Sequence, residues 1–251
     1  MSTVNPLARE ISAKIVYYGP GLSGKTTSLQ RVYDFVRPES RGQLISLNTE
    51  GDRTLFFDFL PLRVEQVHGL ALRLQLYTVP GQVFYDATRK LVLNGADGVV
   101  FVADSQPAAH DRNLESMDNL RENLAELGID LDAFPLVVQY NKRDLPNVLP
   151  VEALRRDLNP RGVPDFETVA ERGVNVMPAL KEITRLVMLD LRGRQPPPRK
   201  VSAPLEAKGS HRSDLAERVS AAAESGARSV TAWPPLPAAA PPHVAPAPPP
   251  P

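Results

Sequence analysis

The chain has 251 residues, 42% apolar and 23% charged, and its 29 basic side chains balance 29 acidic ones. That composition supports a packed core of ordinary size and, without a basic excess, argues against a nucleic-acid partner. Cysteine is absent, which excludes disulfides, cysteine–zinc sites, thiol catalysis and prenyl or palmitoyl anchors.

No apolar run approaches a membrane span, Asn5, Arg9 and Glu10 interrupt any signal core, and the Met1-Ser2 start argues against myristoylation. A cytoplasmic protein with no lipid anchor is expected. Of 26 prolines, 14 fall between Gln195 and Pro251. The expected organisation is a folded domain over residues 1–193 and a disordered, proline-rich tail over 194–251.

In chain order, residues 11–18 form a short β-rich run that ends at Gly19-Pro20-Gly21, which predicts a buried strand closed by a glycine turn. A helix is predicted from Lys25, with Pro38 and Gly42 beyond its end. A second strand is read at 43–49. Leu70, Leu72, Leu74 and Leu76 alternate with polar residues, predicting a half-buried strand that pairs with 62–67 through His68-Gly69. The runs Val99–Ala103 and Leu136–Tyr140 are continuously apolar, as in strands covered on both faces. Leu114, Met117, Leu120, Leu124 and Leu127 mark one amphipathic helix, and Val176, Leu180, Ile183 and Val187 another. Strands alternating with helices predict an α/β fold with a doubly wound, mostly parallel sheet. In the tail, Ser213–Glu224 could form at most a marginal short helix and is read as disordered.

Gly19-Pro20-Gly21-Leu22-Ser23-Gly24-Lys25-Thr26 matches the phosphate-loop pattern G-x-x-x-x-G-K-[ST] at every fixed position, between a predicted strand and a predicted helix. In such a loop backbone N–H groups surround phosphate oxygens and the helix N-terminus adds its positive end. Gly24 permits close approach, Lys25 reaches the outer phosphates, and Thr26 offers a hydroxyl to Mg²⁺. Gly19, Gly21, Leu22, Ser23 and Thr27 complete the candidate phosphate contacts.

Asn141-Lys142-Arg143-Asp144 follows the strand at 136–140 and fits N-K-x-D, which reads guanine in GTPases. Asp144 can accept from the two N–H groups of guanine's edge. Adenine leaves that carboxylate unpaired, a loss that discriminates by orders of magnitude. The Lys142 stem can cover the base, and Asn141 can tie this loop to the phosphate loop. Glu167-Thr168-Val169-Ala170-Glu171 either resembles the E-T-S-A-K loop, whose alanine N–H contacts the guanine oxygen, or is a plain strand end.

Small GTPases mostly carry D-x-x-G after the third strand, with the Asp reaching Mg²⁺ through water. Here Thr78 stands where that Asp would be, before Val79-Pro80-Gly81-Gln82. Asp52 and Asp58 are both candidates to replace the missing charge.

These runs resemble the bacterial Ras-like GTPases of the gliding-motility, cell-polarity type, the MglA family. The carriers are Lys14–Leu22, Asp52–Pro61, Tyr77–Asp86, Gly98–Ser105 and Gln139–Pro146, and the Thr in place of Asp is itself typical. The resemblance covers residues 1 to about 193 and not the tail. It implies a P-loop small GTPase with GTP/GDP and Mg²⁺ as ligands, a switch whose GTP form marks a cell pole and recruits motility machinery. It further implies a homodimeric roadblock-domain GTPase-activating protein, an exchange factor and polar effectors. Arg53 matches an arginine finger supplied in cis, Thr54 the switch threonine on Mg²⁺ and the γ-phosphate, and Gln82 the glutamine that positions the attacking water.

These roles suit phosphoryl transfer, which needs positioned water and positive charge on developing oxygens. An alternative for Arg53 is a solvated loop arginine. The cluster Leu55-Phe56-Phe57-Phe59-Leu60 reads equally as core or as a partner-facing switch surface. The tail, with Trp233 and Pro234-x-x-Pro237, is either a spacer or a segment that docks a proline-recognising partner. Two functions compete with a hydrolysing switch: a nucleotide-stabilised scaffold with vestigial hydrolysis, and an ATP-dependent phosphotransferase, which Asp144 disfavours.

Overall fold

The computed structural model describes residues 3–5, 10–48, 56–67, 70–81 and 85–193. The chain divides into two units, Met1–Pro196 and Pro197–Pro251, and the second lies wholly outside the described residues. In the first unit the strands are β1 (Thr3–Asn5), β2 (Glu10–Tyr18), β3 (Ile45–Asn48), β4 (Phe56–Val67), β5 (Leu70–Thr78), β6 (Gly98–Asp104), β7 (Leu136–Asn141) and β8 (Asp165–Glu167). The helices are α1 (Lys25–Phe35), α2 (Asp86–Leu93), α3 (His110–Glu126), α4 (Val151–Leu158) and α5 (Val176–Gly193).

The strands form one sheet in the order β3-β4-β5-β2-β6-β7-β8, with β1 paired to β2. β5, β2, β6, β7 and β8 run parallel, and β4 is antiparallel to both of its neighbours, β5 and β3. Every residue of β6 and β7 is buried. Their β-branched and apolar runs suit strands covered on both faces.

Strand alternation divides the core in two. Val16, Tyr18, Val99, Phe101, Ala103, Val138 and Tyr140 face Leu120 and Leu124 of α3 and Leu154 and Leu158 of α4. Ile15, Tyr17, Val100, Val102 and Val137 face Leu29 and Val32 of α1 and Ala179, Leu180, Ile183 and Val187 of α5. Both predicted helical stripes are therefore core faces on opposite sides of the sheet. This is the doubly wound, mostly parallel α/β fold expected from sequence.

Some elements differ from the sequence reading. β4 begins at Phe56, not near residue 62, because Phe57 and Leu60 are core residues on opposite faces of the strand. That places these two members of the apolar cluster in the interior, while Leu55 lies outside the described residues. β1, α2, α4 and β8 were not anticipated. Each is three to eight residues long, below the window of about 11–18 residues over which a hydrophobic period can be read. The paired strands β4 and β5 do form a hairpin, with Val67 opposite Leu70. Among the described residues, no helix is long and apolar enough to cross a membrane.

The parallel strands all end at one edge. The phosphate loop follows β2, Val79-Pro80-Gly81 follows β5, Asp104 closes β6, Asn141 closes β7 and Thr168–Ala170 follow β8. A crevice at the carboxyl ends of such strands is where ligands of open α/β sheets bind.

Because Leu120 is fully buried between α3 and the sheet, Leu120→Ala should cost about 2–5 kcal/mol of stability. Urea unfolding at fixed ligand concentration measures this, and a loss well under 1 kcal/mol would contradict the packing described.

Candidate functional site

Gly24 caps α1 with φ 104°, a left-handed conformation that suits a residue without Cβ. A Cβ there would lie 2.2 Å from Asn141 Nδ2, so the position is closed to side chains by contact as well as by backbone. Leu22, at the tip of the loop, also has positive φ (63°) and is 85% exposed. Ser23 is buried, Gly21 half-buried and Thr27 exposed.

Lys25 is buried and turned back over its own loop, donating from Nζ to the carbonyls of Gly19 (2.9 Å) and Pro20 (2.6 Å). Burial, then the Arg89 guanidinium, push this ammonium down to about 7, against the opposing pull of Asp58. It is a cation held in a desolvated place, where attraction to an anion is strong.

Of the two acidic candidates only Asp58 falls among the described residues, and it meets the phosphate loop. Its carboxylate accepts from Thr26 Oγ1 (2.7 Å), Thr78 Oγ1 (2.9 Å) and Ser46 Oγ (2.7 Å), and its backbone N–H donates to Thr78 Oγ1 (2.8 Å). The register explains this. Ser46 pairs with Asp58, and Phe59 pairs with Tyr77, so the next step sets Asp58 opposite Thr78. The carboxylate missing from position 78 thus stands on the neighbouring strand, in contact with Thr78. Hydroxyls and one carboxylate are hard oxygen donors, and Mg²⁺ sites commonly combine one or two carboxylates with substrate phosphates. Among the described residues no cluster of three or more His, Cys, Asp or Glu offers an all-protein cage. The donor set therefore fits Mg²⁺ held jointly with a phosphate ligand, on Thr26 and backed by Asp58.

Gly81 rests on the phosphate loop, where a Cβ would lie 2.2 Å from Gly21 Cα and 2.8 Å from the Pro20 carbonyl carbon. The turn after β5 can take that seat only with glycine.

At the other end of the crevice, Asn141 is 2% exposed and joins three segments. Nδ2 donates to Ser23 O (2.7 Å), while Oδ1 accepts from Ala170 N (2.8 Å) and Thr168 Oγ1 (3.2 Å). The tie between the base loop and the phosphate loop is as expected. Ala170 opens a single turn of 3-10 helix, Ala170–Arg172, rather than a plain strand end. Its N–H is engaged by Asn141, so a guanine oxygen would have to share it. Asp144 is exposed, as a group that meets a ligand edge must be.

Asp104, Arg143 and Arg89 were not among the site residues read from the sequence. Lys142, at φ 67°, sends Nζ to Asp104 Oδ2 (2.7 Å), a carboxylate only 5% exposed, which fixes the direction of its stem. Arg143, the variable position of N-K-x-D, donates to Glu167 Oε2 (3.0 Å) and Leu149 O (2.6 Å) and so braces the base loop against β8. Arg89 is buried beside the turn at Pro80. An acidic residue closing β6 was a visible signal for Asp104, whereas nothing in the sequence singled out Arg89 or Arg143. Arg53, Thr54, Gln82 and Asp52 lie outside the described residues.

No protein-family model matches the chain. It is 58% identical over 192 residues to the mutual gliding-motility protein MglA of Myxococcus xanthus (strain DK1622), covering 76% of this chain and 98% of that relative. It is 29% identical over 138 residues to the Ypt/Rab-type GTPase ypt7 of Pyricularia oryzae, covering 53% of this chain and 65% of that relative.

The depressed Lys25 ammonium makes stability depend on pH in a defined sense. Between about 7 and the ordinary value of 10.5 the unfolded chain holds a proton that the folded chain releases, so this contribution rises with pH. Comparing denaturant unfolding of ligand-free protein at pH 7 and pH 9, wild type should gain about 2 kcal/mol more than Lys25→Met. Parallel pH profiles would refute a deprotonating Lys25.

Proposed function

The chain belongs to the MglA family of Ras-like small GTPases, and from that premise we propose a GTP-binding, GTP-hydrolysing switch that sets cell polarity and controls motility machinery. The observation that carries the guanine-nucleotide reading is Asn141. One buried amide binds the phosphate loop, the base-reading loop and the Thr168–Ala170 segment together, so phosphate and base recognition form one rigid crevice. The 58% identical relative is a gliding-motility protein, which supports the choice of process.

In this reading backbone N–H groups from Gly19 to Thr26 hold the phosphates, with Gly21, Leu22, Ser23 and Thr27 shaping the loop. Lys25 exchanges its bonds to the Gly19 and Pro20 carbonyls for phosphate oxygens. Thr26 and Thr54 provide the hydroxyls for Mg²⁺, with Thr78 and Asp58 behind them. Mg²⁺ supplies neutralisation of charge on the phosphate oxygens. Gly81 closes the phosphate end, and Asp144, Lys142 and the Ala170 N–H recognise guanine.

Gln82 orients the attacking water and Arg53 delivers charge in a rigid fork to the developing oxygens. A homodimeric roadblock-domain activator brings these two into place. An exchange factor reloads GTP, and the GTP form moves from the cytoplasm to a pole where effectors bind it. The proline-rich tail offers those effectors a docking segment.

The scaffold alternative drew on the neutral Thr78. With Asp58 hydrogen-bonded to Thr78, the carboxylate is supplied from the next strand, and only the tail still favours that reading.

Two experiments test this function. GTP turnover, measured alone and with a roadblock-domain activator, should rise on the order of 10³-fold with the partner. Arg53→Ala and Gln82→Ala should keep nucleotide binding and lose that rise. Tight binding with no turnover under any condition would favour the scaffold. Separately, Asp58→Asn should weaken Mg²⁺ affinity by about 10- to 100-fold, read from the Mg²⁺ dependence of GDP release. An unchanged dependence would remove Asp58 from the metal's surroundings.

A further inference from the structure

Arg89 belongs to none of the motifs above, yet it is among the most deeply buried charges in the chain, at 4% exposure. It projects from α2. Nε donates to Pro80 O (3.0 Å), and Nη1 donates to Asn119 Oδ1 of α3 (2.6 Å). Its guanidinium carbon stands 5.9 Å from the ring centroid of Tyr18, the last residue of β2 before the phosphate loop. Tyr18 closes the circuit by donating to the same Asn119 Oδ1 (2.5 Å).

The Asp86 carboxylate is joined to this group through amides. Asn119 and Asn123 donate to Asp86 Oδ1 at 2.9 and 3.0 Å, and Lys90 pairs with Oδ2 at 3.0 Å. The groups bonded to Arg89 are uncharged, a carbonyl, an amide oxygen and the Tyr18 hydroxyl, and among the described residues its charge has no ion-pair partner. A buried cation in that situation is costly unless its geometry or its field is used. The use of its geometry is visible here. The rigid fork fixes the Pro80 carbonyl, and the following residue, Gly81, rests on Gly21 of the phosphate loop.

We propose that Arg89 is a positioning residue for the triphosphate state, pinning the Pro80-Gly81 turn against the phosphate loop and coupling that turn to α3 through Asn119. This inference rests on the GTPase reading above. In switch GTPases the segment after this strand is ordered by the γ-phosphate and released on hydrolysis. The turn therefore matters for GTP and much less for GDP. Lysine keeps the charge but lacks the fork that spans Pro80 O and Asn119 Oδ1 at once. Arg89 acts on the turn rather than on the reacting atoms, so its loss should lower kcat while leaving the KM for GTP in place.

The test uses the full-length protein loaded with GTP in single-turnover hydrolysis, beside the affinities for GTP and GDP by fluorescent-analogue displacement. Arg89→Lys should retain GDP affinity near the wild-type value and lose about 10- to 100-fold in hydrolysis, the scale of a misplaced reacting geometry. Wild-type hydrolysis in a folded Arg89→Lys protein overturns the assignment. So does equal weakening of GTP and GDP, which marks a purely structural role. If Arg89→Lys does not fold, Asn119→Ala decides, since it removes the Nη1 acceptor from a half-buried position on α3. Reduced hydrolysis with GDP affinity kept supports the coupling, and unchanged hydrolysis overturns it. Wild-type protein that binds GTP but never hydrolyses it overturns the GTPase reading itself, a result separate from any difference between variants.

Discussion

The crevice depends on a single side-chain amide. Asn141 uses both kinds of group it owns, donating from Nδ2 to Ser23 O and accepting at Oδ1 from Ala170 N and Thr168 Oγ1. Aspartate would lose the donor and glutamine would overshoot, and each buried group left unpaired costs about 1–3 kcal/mol. The same contact explains Gly24. Its missing Cβ is the space that Asn141 Nδ2 occupies. Two fixed motif positions far apart in the chain thus answer to one local constraint. The phosphate and base loops are spaced as they are because a short amide, itself 2% exposed, sets the distance between them.

The arrangement of oxygens around Asp58 follows from sheet register. Most small GTPases place a carboxylate at the end of the strand that corresponds to β5, and here that end is Thr78. The charge has moved to the adjacent antiparallel strand. Ser46, Asp58 and Thr78 lie in one row across β3, β4 and β5, and the row continues to Tyr17 of β2. Cross-strand neighbours are close enough to exchange a functional group without moving it far in space. The threonine then works as an intermediary. Its hydroxyl accepts from the Asp58 backbone N–H and donates to the Asp58 carboxylate. A one-residue slip in β4 would turn Asp58 to the opposite face, away from Thr26.

This history also marks how far sequence can be read. Strongly periodic or continuously apolar segments were legible, as were motif positions tied to phosphate chemistry, because period and spacing are written along one chain. β2, β6, β7, α3 and α5 fall in that group. The place of Asp58 beside Thr26 and Thr78 was not legible, since it depends on a pairing between β3, β4 and β5. Arg89 was invisible for the same reason. A lone arginine in the short helix α2 has the local pattern of a solvent-facing residue, and only its meeting with Pro80, Asn119 and Tyr18 gives it meaning. The apolar cluster at 55–60, interrupted only by Asp58, held two readings because burial on both faces of a strand produces the same dense apolar run as an exposed sticky loop. Phe57 and Leu60, facing opposite core clusters, are such a case.

The electrostatics of the phosphate end have a common origin in burial. Lys25 is depressed first by desolvation and next by Arg89, with Asp58 working against both. Two buried cations beside one carboxylate leave an excess of positive field at the loop. The Lys25 ammonium donates to the Gly19 and Pro20 carbonyls, which partly offsets that excess. The cost of keeping Lys25 away from water and the strength of its attraction to a phosphate are the same term seen from two states. A more exposed lysine would be cheaper to fold and weaker toward its ligand. The burial that destabilises this residue near neutral pH is therefore what makes it effective in the site.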